Sequence, residues 1–261
     1  TATGDLSTGS SGTVSVVASA GDVTMVDGTT YTAAGGTVSV TGASNVALGQ
    51  IVNASGASNV TATAGSITDV TSAEDSCNEN ISGTTLTLSS ATGIGSAGAA
   101  NDLDVAATTI VASDSGTGSI YLAETDGVSI GATSTTSGAL SIIAGGAVTT
   151  SGNISASGGS LALTGVGLTN SNTITGDANG ISLSAGTGTL TSTAGSITNG
   201  GSAGTISLAA DTDIVLAGGA GSITAGAGDV TLKDSAGSIT MALAGGSGTI
   251  AIADADLDEI T

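Results

Sequence analysis

Acidic side chains are the residues whose types and spacing most clearly suggest chemistry in this sequence. Asp254, Asp256 and Asp258 alternate along the chain, and Glu259 follows them directly. Alternate residues of a β-strand point to the same face, so a strand here would align the three aspartates. Hard cations such as Ca²⁺ bind where several oxygen ligands converge. We therefore expect this segment to be a candidate calcium site.

A second acidic segment surrounds the single cysteine of the chain. Glu74, Asp75 and Glu79 lie around Cys77 and are further calcium candidates. One cysteine cannot form a disulfide within its own chain, so Cys77 is a candidate only for an intermolecular thiol contact. Shorter acidic pairs offer the same oxygen chemistry: Asp102 and Asp104, Glu124 and Asp126, and Asp211 and Asp213.

The regular calcium-binding repeat of β-roll proteins is excluded by one position. That repeat requires Gly-Gly-x-Gly-x-Asp. Residues 218–223 and 245–250 match its glycines but place Ile223 and Ile250 where the aspartate belongs. Ca²⁺, held at irregular sites, is the only cofactor that the sequence suggests. The alternative is no cofactor at all, with the carboxylates forming a solvated and solubilising surface.

The sequence offers little support for catalysis. Residues 200–204 (GGSAG) match a nucleophile elbow, but the chain has no histidine to serve as the base. Paired carboxylates can cleave glycans, yet sites of that kind use aromatic platforms, and the chain has two tyrosines and no Phe or Trp. We expect a protein that is not an enzyme, and a glycan-active β-helix enzyme is the weaker alternative.

The charge balance excludes several classes of partner. The formal net charge is −20, with Lys233 the only basic side chain. Nucleic acids and anionic lipid surfaces both attract basic proteins, so neither is an expected partner. No run of 18 apolar residues occurs, and we therefore expect no transmembrane segment.

A short phrase recurs along the chain and predicts its architecture. Ala-Gly-Ser-Ile-Thr begins at Ala64, Ala194, Ala220 and Ala236. Each copy is a small turn followed by alternating apolar and small polar residues, which indicates a short half-buried strand. Copies that recur without strict identity are typical of a solenoid, in which each coil stacks on the next.

The spacing of apolar strand centres predicts three strands in each coil. Three series recur at about 25 residues, and upstream the spacing tightens to roughly 17 to 21 residues. We predict an all-β fold, a right-handed parallel β-helix with roughly 20–25 residues per coil and roughly 11 to 13 coils. The three series are Ile181, Ile206 and Val230; Leu190, Ile214 and Ile239; and Ile197, Ile223 and Ile250.

One segment interrupts the alternation. Residues 69–83 concentrate charge and lack the repeat pattern, so we expect a protruding loop or a seam within a single solenoid spanning residues 1–261. The sequence begins at Thr1 without methionine. We expect it to be a processed product or a piece of a longer protein.

Several phrases resemble the repeats of giant bacterial surface proteins of the filamentous-haemagglutinin and autotransporter-adhesin type. They are residues 21–25 (GDVTM), residues 228–232 (GDVTL) and residues 118–131 (GSIYLAETDGVSIG). The resemblance implies a secreted β-helical shaft at the bacterial cell surface, without catalytic residues. Residues 44–49 and 54–60 look instead like the head repeat of trimeric autotransporters, which is a minor alternative.

These observations predict a structural or adhesive protein of the cell exterior. One form is the shaft of a large adhesin, with the rest of a longer parent chain and a host or neighbouring-cell surface as partners. The other is a self-assembling filament subunit stabilised by calcium, with copies of itself joined end to end or laterally. Ice binding is a further alternative, but the Thr-x-Thr pairs do not recur at the coil period.

Overall fold

Alternating apolar residues form strands along the chain, and the described residues contain no helix. The computed structural model describes residues 1, 3–71, 79–98, 101–200, 203–236, 241–243, 250–252 and 260. The chain divides into two compact units, the first comprising Thr1–Asp126 and Ser134–Gly138 and the second Gly127–Thr133 and Ala139–Thr261.

The first unit is a stack of parallel strands. Val23 pairs with Val46, Val46 with Ile67, and isolated bridges continue the column to Ile94 and Ile120. Each of these five side chains is buried. The strands that begin in this unit are β1 (Leu6–Thr8), β2 (Val14–Ala18), β3 (Val23–Thr24), β4 (Thr30–Ala33), β5 (Val38–Gly42), β6 (Val46–Leu48), β7 (Gln50–Asn53), β8 (Ala57–Ala62), β9 (Ile67–Asp69), β10 (Ile81–Ser90), β11 (Leu103–Asp114) and β12 (Ile120–Glu124).

Two long strands in the first unit replace a corner with continuous pairing. The start of β10 pairs with β7, whereas its end pairs with β8. β11 then pairs with β10 along both parts. The bend between two faces of the coil is therefore lost here, which the short-strand pattern of the sequence did not predict.

The second unit shows the three columns that the sequence predicts. Leu161 pairs with Ile181, Ile181 with Ile206 and Ile206 with Val230. The remaining strands of the chain are β13 (Val128–Ile130), β14 (Thr133–Thr135), β15 (Leu140–Ala144), β16 (Val148–Thr150), β17 (Ile154–Ala156), β18 (Leu161–Thr164), β19 (Leu168–Asn170), β20 (Ile174–Thr175), β21 (Ile181–Ser184), β22 (Thr189–Ser192), β23 (Ile197–Thr198), β24 (Ile206–Ala209), β25 (Asp213–Leu216), β26 (Ile223–Thr224), β27 (Val230–Lys233), β28 (Met241–Leu243) and β29 (Ile250–Ile252).

The other two columns of this unit are confirmed as far as the described residues reach. Leu190 pairs with Ile214, and Ile197 pairs with Ile223. The fold is thus a β-solenoid of about ten coils with about 22 residues each. The predicted three strands per coil and the predicted coil length are confirmed, whereas the predicted coil number was too high. The right-handed sense of the coil stays a prediction.

The predicted stacking of Ile250 on Ile223, the last pairing in one column, is wrong. Ile250 pairs with Met241 instead, while Ile223 bridges to Ile260. Equal apolar spacing cannot distinguish a full coil from a short parallel β-loop-β unit, because both place isoleucine at a strand centre. Ile239, the last residue of another predicted column, lies outside the described residues.

Buried polar side chains continue the stack in the second unit at the last residues of β16, β19 and β22. The Thr150 hydroxyl donates a hydrogen bond to Asn170 Oδ1 at 2.8 Å, and Asn170 Nδ2 donates to Ser192 Oγ at 3.3 Å. All three residues are buried. Because each buried polar group finds its partner on the next coil, this ladder fixes the register between three coils.

Glycine is required where corners of successive coils approach each other. A Cβ at Gly56 would overlap the carbonyl oxygen of Gly36, and one at Gly36 would overlap that of Gly12. Asn53 organises the same corner, since it donates to the Gly36 and Ala57 carbonyls at 2.9 Å and accepts the Gly56 N–H at 3.0 Å.

We predict that Gly56→Ala destabilises the first unit by roughly 1–3 kcal/mol, the usual cost of overpacking. The added methyl group has to displace the neighbouring coil, because its closest contact is backbone. Urea unfolding measured by circular dichroism gives the free-energy difference. Gly9→Ala is the matched control, since a Cβ there meets no atom within 4 Å. Equal effects of the two substitutions would contradict the close approach of the coils.

We predict that Asn170→Ala lowers the free energy of unfolding by about 1–3 kcal/mol, because it leaves the Thr150 and Ser192 hydroxyls buried without their shared partner. Asn153→Ala is the control. Asn153 is exposed and accepts one hydrogen bond, from the Thr173 N–H at 3.2 Å. The free energy of unfolding is measured by the same urea titration. An equally small loss in both alanine variants would contradict the role of the ladder.

Candidate cation site

The structure describes only part of the acidic segments that the sequence singles out. Glu79 is described, whereas the other predicted calcium ligands and the predicted thiol fall outside the described residues, and their roles stay predictions. Those residues are Glu74, Asp75, Cys77, Asp254, Asp256, Asp258 and Glu259.

Several other acidic side chains that the structure describes hold corners of the coil. The buried Asp114 accepts the Ser90 hydroxyl at 2.7 Å and the N–H groups of Gly116 and Gly118. Asp211, another predicted candidate, accepts the N–H groups of Ser235 and Ala236 at 2.7 and 3.0 Å. These carboxylates satisfy loop backbone groups, which is a structural role.

Asp177 shows how such a corner changes the acidity of a carboxyl. Burial acts to raise the pKa of Asp177, but the N–H groups of Asn179 and Gly158 and the Asn179 side chain donate to it, and together they lower the pKa. Hydrogen bonds to the charged form stabilise that form. This carboxylate therefore favours folding when it is ionised.

Glu124 occupies a core position at the end of an apolar column. Ile51 pairs with Ile81, Ile81 with Val105 and Val105 with Glu124. Glu124 is only 4% exposed. Its Oε1 accepts the Ala107 N–H at 3.1 Å, but its Oε2 is buried without a hydrogen-bond partner.

Two neighbouring carboxylates add to the electrostatic cost at Glu124. Burial raises the pKa of Glu124; the N–H groups of Ala107 and Asp126 act to lower it, and the charges of Asp126 and Glu79 raise it further. Glu79 itself accepts the Thr125 hydroxyl at 3.2 Å. The predicted pair of Glu124 and Asp126 is thus joined by Glu79, which the sequence assigns to a different cluster.

A second carboxylate pair forms between strands that are far apart in sequence. Asp69, at the end of β9, accepts the Thr71 N–H, the Thr71 hydroxyl and the Asn80 side-chain N–H through Oδ1, at 2.6, 2.7 and 2.6 Å. Its Oδ2 is buried and has no hydrogen-bond partner. Asp69 is thus held firmly by one oxygen while the other is left unpaired.

Asp102 is the other member of this pair. It is 7% exposed, and its Oδ1 is buried without a hydrogen-bond partner. Burial raises the pKa of Asp102, a backbone hydrogen bond acts to lower it, and the charge of Asp69 raises it further. The backbone places Asp102 near Asp69, because the Gly95 N–H donates to the carbonyl of Ile67, two residues before Asp69, and a Cβ at Gly95 would come within 3.2 Å of the Asp102 Cα.

A pocket of about 360 Å³ adjoins this pair. Gly95 lies against Asp102, because a Cβ at Gly95 would come within 3.2 Å of the Asp102 Cα. The side chains around the pocket offer carboxylate, hydroxyl and amide oxygens. The lining residues are Thr68, Asp69, Val70, Thr71, Gly95, Ser96 and Asn101.

The sequence points to Asp102 as a candidate but not to Asp69 as its neighbour. The pattern pairs Asp102 with Asp104, two positions away on the chain, whereas Asp69 falls in the irregular segment. The coil brings the two together: Ile67 bridges to Ile94, so this coil contains 27 residues. Only a correct register across this coil could have revealed the pair.

The described residues contain no group of three or more metal-ligating His, Cys, Asp or Glu side chains. Within that part of the chain, no helix has the length and apolar character needed to cross a membrane. The Thr-x-Thr pair of Thr189 and Thr191, of the kind that would suggest ice binding, is not repeated on the next coil. Thr189 pairs with Asp213 there, and Thr191 pairs with Val215.

We predict that the contribution of Asp102 and Glu124 to stability falls as the pH rises from 5 to 8. The pKa values of Asp102 and Glu124 are raised on folding. The folded state therefore binds their protons more tightly, and stability is lost as pH rises through the raised values. Glu124→Gln should remove part of this difference and raise the melting temperature at pH 8 by about 2–4 °C for each kcal/mol relieved.

Thermal unfolding followed by circular dichroism at both pH values measures this effect. Asp229→Asn is the control, because this substitution removes the same charge from an exposed position. A melting-temperature difference between the two pH values that is unchanged by Glu124→Gln would contradict the assignment of the proton uptake to Glu124.

Comparisons of the chain with protein-family models, with curated proteins and with solved structures find no match.

Proposed function

We propose that this chain is a non-enzymatic structural protein of the bacterial cell exterior, acting as a segment of the shaft of a large adhesin. Its function is mechanical. Stacked coils resist extension and proteolysis, because the strand backbones of adjacent coils are hydrogen-bonded to each other.

The continuous stacking of the coils carries this proposal. In the second unit, Leu161, Ile181, Ile206 and Val230 follow one another in register, and polar ladders bridge the corners. A fold built from such repeats extends by adding coils, so it suits a spacer whose length is its function. The repeat phrases that resemble those of bacterial adhesins support the surface location.

The surface charge favours a secreted spacer over a binding module. Twenty-one acidic residues stand against a single lysine. Like charges on neighbouring molecules repel each other, which opposes the lateral association to which repetitive β-proteins are prone. A shaft on a crowded cell surface needs this repulsion.

A filament subunit is the second candidate, favoured by the exposed first coil. Leu6 pairs with the buried Tyr31 but is itself 42% exposed. β1 pairs with β4 and β2 with β5. The opposite edge of each strand is suited to accept another coil, either from a parent chain or from a second copy.

We predict that the purified chain remains monomeric in sedimentation velocity across a hundredfold concentration range, because its net charge of −20 opposes the association of separate copies. Negative-stain microscopy provides the second view. Filaments longer than one chain would reject the shaft proposal in favour of the subunit. Leu6→Lys is the matched variant, since a lysine at the exposed edge should shorten such filaments.

The location is tested separately by immunogold labelling of the producing cells with an antibody against the chain. Gold on surface fibres that disappears after protease treatment of intact cells is the expected result. Gold confined to the cell interior would overturn the proposal.

A further inference from the structure

We propose that Asp69 and Asp102, with the oxygens that line the adjoining pocket, bind a hard divalent cation, and that this cation is Ca²⁺. The site lies within the first unit, where β9 ends and β11 begins. It joins Asp102, which the sequence offers only in a pair with Asp104, to Asp69, which the sequence does not offer as a ligand, and it does not depend on the proposed function.

Two carboxylate oxygens at this site lack hydrogen-bond partners. Asp69 Oδ2 and Asp102 Oδ1 are both buried, and neither has a hydrogen-bond partner. Buried polar atoms are nearly always paired, and a buried carboxylate without a partner is costly. Two such atoms on neighbouring acids would be stabilised by a shared cation.

The protein itself does not supply that charge. Lys233 is the only basic side chain of the sequence, and it is exposed on β27 of the second unit. No arginine or histidine exists to form an ion pair with Asp69 or Asp102. Neutralisation of the pair must therefore come from solution, either as a metal ion or as a proton.

The donor set favours calcium among metal ions. Carboxylates, hydroxyls and an amide are hard oxygen ligands, and Thr68, Ser96 and Asn101 offer the neutral ones. The pocket, about 360 Å³, leaves room for coordinating water. Calcium accepts six to eight oxygens in flexible geometry, whereas magnesium demands a stricter octahedron.

The first ligand is held in place before any ion arrives. Asp69 Oδ1 is fixed by Thr71 and Asn80, so the direction of Oδ2 is also fixed. Asn80 is in turn held by the Asp104 N–H, which donates to its Oδ1 at 2.9 Å. This outer layer of hydrogen bonds is what orients ligands in metal sites.

Binding here would join parts of the chain that are distant in sequence. Asp69 ends β9, Asn80 precedes β10 and Asp102 precedes β11. The coil between Ile51 and Ile81 contains 30 residues and is thus longer than the average coil. A cation would therefore clamp the first unit at an enlarged coil, with an expected Kd of about 10⁻⁴–10⁻³ M, as in extracellular calcium modules.

Isothermal titration of the full chain with CaCl₂ at pH 7.5, after treatment with a chelator, tests the proposal. We compare the wild type, Asp102→Asn and the control Asp229→Asn, which removes one exposed carboxylate. Wild type and control should bind one more Ca²⁺ than Asp102→Asn, or bind at that site at least tenfold more tightly. Calcium should also raise the melting temperature of the first two more than that of Asp102→Asn.

The alternative occupant of the pair is a proton. In that case Asp102→Asn would bind as many calcium ions as the wild type with equal affinity, and the proposal would fail. Circular dichroism confirms that each variant is folded. If Asp102→Asn does not fold, Asp69→Asn is used in the same comparison, and undiminished calcium binding by that variant would equally overturn the site.

Discussion

The parallel backbone ladder between successive coils is the interaction on which the rest of this structure depends. Each coil is too thin to bury a core alone, so its apolar side chains are covered only when the next coil pairs in register. Columns such as Ile154, Ile174, Ile197 and Ile223 follow directly from that pairing. Small residues at the corners let the coils approach to the roughly 4.8 Å spacing that the ladder demands.

The same ladder explains which features could be predicted from the sequence. Apolar residues at strand centres repeat with the coil, and the three columns of the second unit were therefore predictable. The continuous strands β10 and β11 were not, because a missing corner leaves the alternation unchanged. The wrong placement of Ile250 has the same origin: periodicity identifies strands but does not identify which strands pair.

The candidate site was harder to predict for a related reason. Asp69 and Asp102 become neighbours only through the stacking of an enlarged coil, and no local pattern connects them. The sequence did identify the absence of basic partners, which gives the pair its significance. In a chain with one lysine, a buried carboxylate is satisfied by neutral N–H and O–H donors, as at Asp114, by a proton, or by a cation.

Register between adjacent coils is tested most directly by a disulfide introduced across the ladder. Ala162 pairs with Ser182, and paired residues of adjacent strands suit a disulfide geometrically. With Cys77 replaced by serine, Ala162→Cys combined with Ser182→Cys should cross-link upon mild oxidation. Ala162→Cys combined with Ser184→Cys should not, because an offset of two residues separates the Cα atoms by about 8 Å. Two results would contradict the stacked-coil account: efficient cross-linking of the offset pair, or no cross-linking between residues 162 and 182.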